Sequence, residues 1–259
     1  MTRSQLFSST ALAGLLVGSP AFGADLAPVP YRESQKLQWS GLYVGANAGY
    51  AWASDPTMTC TSIAPGAASP CLGNTFSPPR PSGGEYGIQA GYNWQTANWV
   101  FGLEADINKL GVHGSSQQFP GIDPGKGPDL ASSRYDWLGT ARGRVGVTRG
   151  PALFYATGGL AYGQVYHEYL QGFATPTNPA FRMTETRAGW TVGGGAEFAL
   201  NQHWSVKAEY LYVNLGNSHL DISGVLFGGN LGTPGAPGTS FQHFNNNLNI
   251  VRLGANYRF

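Results

Sequence analysis

The chain has 259 residues, of which 11% are charged and 13% aromatic, with 38 glycines and a formal net charge of +1. The charged share is far below the roughly 25% of an average soluble protein, and the near-neutral balance excludes the basic bias of a nucleic-acid binder. Gly, Tyr, Trp, Asn and Thr abound while strong helix formers are scarce, a mix that suits strands and turns.

The chain opens with "MTRSQLFSSTALAGLLVGSPAFGAD". Arg3 is a short positive region, an apolar stretch runs from Leu6 to Val17, and small residues stand at Ala21 and Gly23. Residues 1–23 read as a cleaved Sec signal peptide. The apolar stretch is short of the ~20 residues that a spanning helix needs. Residues 24–38, "ADLAPVPYRESQKLQ", read as a proline-rich periplasmic linker. Export places Cys60 and Cys71, the only two cysteines, where a disulfide is stable, so they are a candidate bridge. Two thiols alone fall short of the four ligands of a structural zinc site.

Residues 39–259 carry eight alternating segments: 40–52, 84–95, 99–110, 134–147, 152–165, 189–200, 203–215 and 247–259. Each approaches the ~9–11 residues of a tilted transmembrane strand. The links between them alternate strictly. Short ones ("TAN", "RGPA", "NQ") separate long ones such as "GVHGSSQQFPGIDPGKGPDLASS". In an up-and-down barrel this gathers all long loops at one end. That asymmetry belongs to outer-membrane barrels, with short periplasmic turns and long extracellular loops. The fold expected is all-β: an eight-stranded antiparallel up-and-down transmembrane β-barrel with four long extracellular loops.

Side chains alternate across a strand. One face is apolar throughout, as in Leu42, Val44, Ala46, Ala48 and Tyr50, or Phe101, Leu103, Ala105 and Ile107. The other collects the charges: Glu85, Glu104, Asp106, Asp136, Glu197 and Glu209 against Arg142, Arg144, Lys207, Arg252 and Arg258. Alternation alone does not say which face is outside. The tryptophans do, because all seven fall near strand ends. Trp39, Trp94, Trp99 and Trp204 stand at the short-turn end, and Trp52, Trp137 and Trp190 at the long-loop end. Two such girdles mark the two bilayer boundaries, so the apolar face meets lipid. A charge there would cost ~2–4 kcal/mol near the midplane. The polar face then lines a lumen just wide enough for side chains to fill. Its charges must pair, and a network of Glu104, Asp106, Arg142, Arg144, Glu197, Lys207, Glu209 and Arg252 is expected. A narrow, gated polar pore is the alternative. Gly45, Gly49, Gly87, Gly91, Gly193 and Gly195 fall on the inward face and leave room for long side chains.

Several stretches resemble the small outer-membrane β-barrel family of Gram-negative bacteria, whose members carry the labels "porin family" and "outer-membrane immunogenic" protein. They are "ADLAPVPY", "WSGLYVGANAGYAW", "GIQAGYNWQTANWVFGLEADI", "WLGTARGRVGV", "YATGGLAYG", "GWTVGGGAEFALNQHWSVKAEYLYVNLG" and "NIVRLGANYRF". The resemblance implies an eight-stranded monomer in the outer membrane. It also implies a signal for the assembly machinery, carried here by Tyr257 and Phe259, and no shared catalytic residues.

Enzymatic motifs are incomplete. "HEYLQ" at His167 lacks a second histidine, and "GIDPGKGP" lacks the spacing and the Ser/Thr of a phosphate loop. A lipid-modifying enzyme remains as an alternative, because His113, Ser115, His219 and Asp221 fall near the extracellular rim, and a nucleophile needs an oriented base beside it. No catalytic, cofactor-binding or metal-binding residue is assigned, and no cofactor. The function expected is structural: envelope integrity and surface interaction. The partners expected are outer-membrane lipids and lipopolysaccharide, the assembly machinery, and surface or host ligands met through the loops.

Overall fold

The computed structural model describes residues 37–54, 58–62, 78–118, 129–170, 180–221, 226–227, 230–231 and 240–259. The signal peptide and nearly all of the linker lie outside them. So does Cys71, and the side chain of Cys60, so the Cys60–Cys71 pairing lies outside what is described.

The elements in order are β1 (Gly41–Ala53), β2 (Met58–Ser62), β3 (Ser82–Thr96), β4 (Trp99–Gln118), β5 (Asp129–Arg149), β6 (Ala152–Leu170), β7 (Ala180–Ala199), β8 (Trp204–Asp221), β9 (Leu226–Phe227), β10 (Asn230–Leu231) and β11 (Ser240–Arg258). Eight of them, β1, β3 to β8 and β11, pair antiparallel in sequence order, and β1 closes on β11 from Tyr43↔Arg258 to Ala53↔Leu248. Closure removes the sheet edges, which lipid cannot hydrogen-bond. Beyond β1, the short β2 takes up pairing with β11 from Met58↔Phe244 to Ser62↔Ser240.

The turns between strands follow from local chemistry. Gly150 takes a φ of +57° in the β5–β6 turn, a region open to glycine. In the β7–β8 turn the Asn201 side-chain oxygen accepts from the backbone N–H of His203 at 2.9 Å and of Trp204 at 2.8 Å.

The strands exceed the segments read from sequence, mostly toward the long loops. β4 runs 20 residues, roughly 65 Å at ~3.3 Å per residue. Tilted by ~40°, it rises about 50 Å, twice the ~25 Å apolar band of an outer-membrane barrel. The upper half of the wall therefore stands clear of the bilayer. There the wall no longer needs one apolar face, so "AFRMTETRA" at the start of β7 gives no period-two signal.

On the outer wall, Tyr50 and Trp52, Trp137 and Tyr162, and Trp190 and Tyr212 form ring pairs 6.4, 5.6 and 5.5 Å apart on the long-loop side. Tyr92 with Trp94, and Trp204 with Tyr257, do the same at 4.8 and 5.2 Å on the short-turn side. Phe259 is exposed there and edges onto Tyr257 at 5.3 Å. Trp39 departs from the girdle expected of it. It is buried inside the short-turn mouth, because position 39 shares the inward register with Tyr43.

Two of the register shifts at the long-loop girdle reverse which side chains face inward. One lies between Tyr135 and Leu138 on β5, and it moves Asp136 out of the inward series. Asp136 instead pairs with Arg134 at 3.0 Å, so the lumen position expected for it is corrected. The other lies opposite Asn246, where Gly216 adopts a φ of +73°, as a bulge glycine does. It turns Ser218 inward and His219 outward.

Gly91 shows why the inward face carries glycine. A methyl built on it would stand 2.3 Å from the Tyr43 hydroxyl. Gly91→Val is expected to destabilise the barrel by at least about 1–3 kcal/mol through overpacking, read in urea titrations of the refolded barrel. Gly143→Ala on the lipid face, where the added methyl would meet nothing nearer than 4.0 Å, should leave the midpoint unmoved.

Candidate functional site

The inward side chains stack in layers from the short-turn mouth to the long-loop end. The lowest layer packs Trp39, Val100, Leu153, Tyr155 and Ala199 together, with Leu37 against them. The Trp39 backbone N–H donates to Gln95 Oε1 at 2.7 Å, and the Arg258 guanidinium lies 4.7 Å over the indole ring.

Above it sits a belt of ions. The structure brings together all eight charged lumen residues singled out in the sequence. Glu104 is the hub. It accepts from Arg142 Nη2, from Lys207 Nζ at 2.9 and 3.0 Å and from the Tyr43 hydroxyl at 2.7 Å. Arg144 and Arg252 stand 3.7 and 3.8 Å from it. Asp106 accepts from Arg142 at 2.8 Å, Arg252 at 3.1 Å and the Thr140 hydroxyl at 2.7 Å. Glu209 takes Arg252 Nε at 2.8 Å and the Tyr155 hydroxyl at 2.9 Å. Glu197 takes Arg144 Nη1 at 3.1 Å, Ser205 at 2.6 Å and Asn256 at 2.8 Å. The Arg144 guanidinium also lies 4.7 Å over the Tyr43 ring. These ions are almost fully withdrawn from solvent, so their pairing offsets a desolvation cost of several kcal/mol per ion.

The third layer was not read from the sequence. Leu110, Val112, Leu138, Val165, Leu211, Val213, Leu215, Leu248 and Ile250 converge in one buried cluster directly above the belt. The signal lay in stretches such as "EYLYVNL", where both faces are apolar.

The fourth layer lies clear of the bilayer, above Tyr162 of the girdle. The Asn246 amide nitrogen donates to Ser218 Oγ at 2.7 Å, so its oxygen is the acceptor for the Tyr135 hydroxyl and for His167 Nε2, both at 3.1 Å. The proton thus sits on Nε2, and Nδ1 accepts from the Ser133 hydroxyl at 2.9 Å. Burial pushes the His167 imidazole down to about 4, so it is neutral. Phe244 stacks on it at 4.2 Å. This is the order of a nucleophile, a base and an orienting amide. However, Ser133 and His167 are buried, and the adjoining cavity holds about 10 Å³, roughly one water. These residues lie so far apart in sequence that no local motif announced them.

The rim residues of the enzymatic alternative fall on two separated strands, so His113 and Ser115 are not brought to His219. His113 and Ser115 are exposed on β4, and His219 is exposed on β8. β4 and β8 stand on opposite sides of the eight-stranded ring. The side chain of Asp221 lies outside the described residues.

Residues 10–259 match the family described as "Outer membrane protein beta-barrel domain". The chain belongs to that family. It is 35% identical to the 31 kDa outer-membrane immunogenic protein of Brucella melitensis, over 98% of this chain and 95% of that one. It is 26% identical to the 25 kDa outer-membrane immunogenic protein of Brucella abortus, over 99% and 98%. Among solved structures, the outer membrane protein OprG of Pseudomonas aeruginosa superposes with a TM-score of 0.50 at 12% identity, covering 85% of this chain and 97% of that one. That likeness concerns the fold alone. The protein is thus an outer-membrane β-barrel.

Breaking a buried ion pair leaves an uncompensated charge and costs about 3–5 kcal/mol. Glu104→Gln should lower the unfolding free energy of the micelle-refolded barrel by that amount, while Lys109→Gln on the outer wall should stay within about 0.5 kcal/mol of wild type.

Proposed function

We propose that this protein is a non-conducting structural barrel. It anchors a tall extracellular wall and its loops in the outer membrane, and it contributes to envelope integrity without catalysing a reaction. The observation that carries this reading is the obstructed lumen. A paired ion belt spans the cross-section, and a buried apolar cluster lies on top of it. An ion crossing that cluster would shed its hydration with no polar group to replace it. This weighs against the narrow-porin reading. The separation of His113 from His219, and the small cavity beside Ser133, weigh against the lipid-modifying enzyme.

The wall supports the surface role. β6 continues from Tyr162 in the girdle to Leu170, ~25 Å further along the strand. It would hold the loops beyond the lipid headgroups, where lipopolysaccharide and external ligands are met. The printed names of the Brucella relatives call them immunogenic, which suits exposed loops. Tyr257 and Phe259, on the short-turn side, are the proposed contact for the assembly machinery.

Planar-bilayer recordings of the purified barrel should show no stable conductance steps. Regular steps would establish a pore instead. Deleting Phe259 should reduce the amount of barrel in the outer membrane while leaving the urea midpoint of the refolded protein near wild type; normal outer-membrane levels would remove the assembly role.

A further inference from the structure

We propose that the barrel binds a monovalent cation of the sodium class inside the lumen, at Glu85. Glu85 points inward from β3 and is only 3% exposed. Among the described residues neither of its carboxylate oxygens has a hydrogen-bond partner. Two amide oxygens share that condition, Asn47 Oδ1 and Asn108 Oδ1.

The strand register sets these three residues near one another on the inner wall. Gly87, two residues from Glu85 on the same face, pairs with Asn47 on β1 and with Asn108 on β4. The Asn108 oxygen occupies the space that a side chain on Gly87 would need, 2.1 Å from a built Cβ. The orientation of both amides is fixed by their nitrogens. Asn108 Nδ2 donates to Asp106 Oδ1 at 2.6 Å, and Asn47 Nδ2 donates to Gln89 Oε1 at 3.1 Å. Their oxygens are left as acceptors without donors, on the edge of the belt that faces the apolar cluster. Buried acceptors left unmade are costly.

The charge balance says what would satisfy them. The belt holds four acids, Glu104, Asp106, Glu197 and Glu209, against four bases. It is neutral without Glu85. The charges that act on Glu85 are Arg252 and Lys207 of one sign and Asp106 and Glu209 of the other. Arg252 is committed to Glu209 and Asp106. The remaining lumen base, Arg258, pairs opposite Tyr43, six residues along β1 from the partner of Glu85, Gly49. That is about 20 Å. Ionised, Glu85 adds a buried negative charge that no ion pair among the described residues balances, near two amide oxygens without donors. Carboxylate and carbonyl oxygens suit hard cations. A single positive charge restores neutrality, whereas a divalent ion would leave an excess.

The test uses the whole refolded barrel in zwitterionic detergent. Its unfolding midpoint should be higher in sodium chloride than in N-methyl-D-glucamine chloride of equal ionic strength, as expected for a ligand that binds only the folded state. Equilibrium dialysis with radiolabelled sodium should give about one ion per barrel. Glu85→Gln keeps the shape and removes the charge; it should lose both the sodium-dependent shift and the bound ion. Should that variant fail to fold, the wild-type readings decide alone. Equal midpoints in the two salts with no bound sodium would mean that Glu85 holds a proton, and would overturn the proposal. So would sodium binding that survives in Glu85→Gln, or a shift produced by calcium and not by sodium.

Discussion

The structure depends on one buried carboxylate. Glu104 projects from β4 and reaches Lys207 on β8, the strand diametrically across the ring, at 2.9 Å. It also holds Arg142 of β5 and Tyr43 of β1. Four strands spread around the wall thus share one anion. A barrel in lipid cannot collapse onto a hydrophobic core in the ordinary sense, because its outer surface is already in apolar solvent. What fixes its cross-section is the wall's own hydrogen bonds and whatever ties opposite walls together. Here the tie is ionic, and the low-dielectric interior makes it both strong and unforgiving of a missing partner.

The layers above and below follow from that belt. Ions in the lumen must be kept from water that would screen them, and each mouth supplies a cover. Trp39 and Arg258 close the short-turn side, and the apolar cluster around Leu211 and Leu248 closes the other. Glycines at the inward register let the large side chains cross the lumen. The same arrangement that holds the walls apart at a fixed distance places an apolar cluster across the lumen, so structural rigidity and the proposed lack of conduction share one physical origin.

The membrane-embedded half was legible because lipid enforces a strict rule. Outward residues between the girdles must be apolar, so a period of two survives in all eight segments, and the tryptophans then tell outside from inside. The belt was legible for the same reason, since ions had no other face to occupy. Legibility failed where the rule lapsed. Above the girdle, water replaces lipid, and β7 starts nine residues before Gly189 without any one-sided pattern. Where Tyr210 and Tyr212 alternate with Leu211 and Val213, both faces are apolar, and the cluster inside was hidden by the lipid face outside. Asp136 was misplaced because a bulge shifts parity, and nothing in "YDWLG" marks it. The chain of contacts from Ser133 through His167 to Asn246, and the lack of a hydrogen-bond partner for the Glu85 carboxylate, depend on which strands become neighbours in the ring. Such facts arise only in three dimensions.

The direct test is a double-mutant cycle across the lumen. Unfolding free energies of wild type, Glu104→Gln, Lys207→Met and the double variant give the coupling between opposite walls. A coupling of about 2–3 kcal/mol, at the upper end for residues within one network, is expected. Additivity within about 0.5 kcal/mol would mean that the belt does not hold the walls together, and would contradict the account.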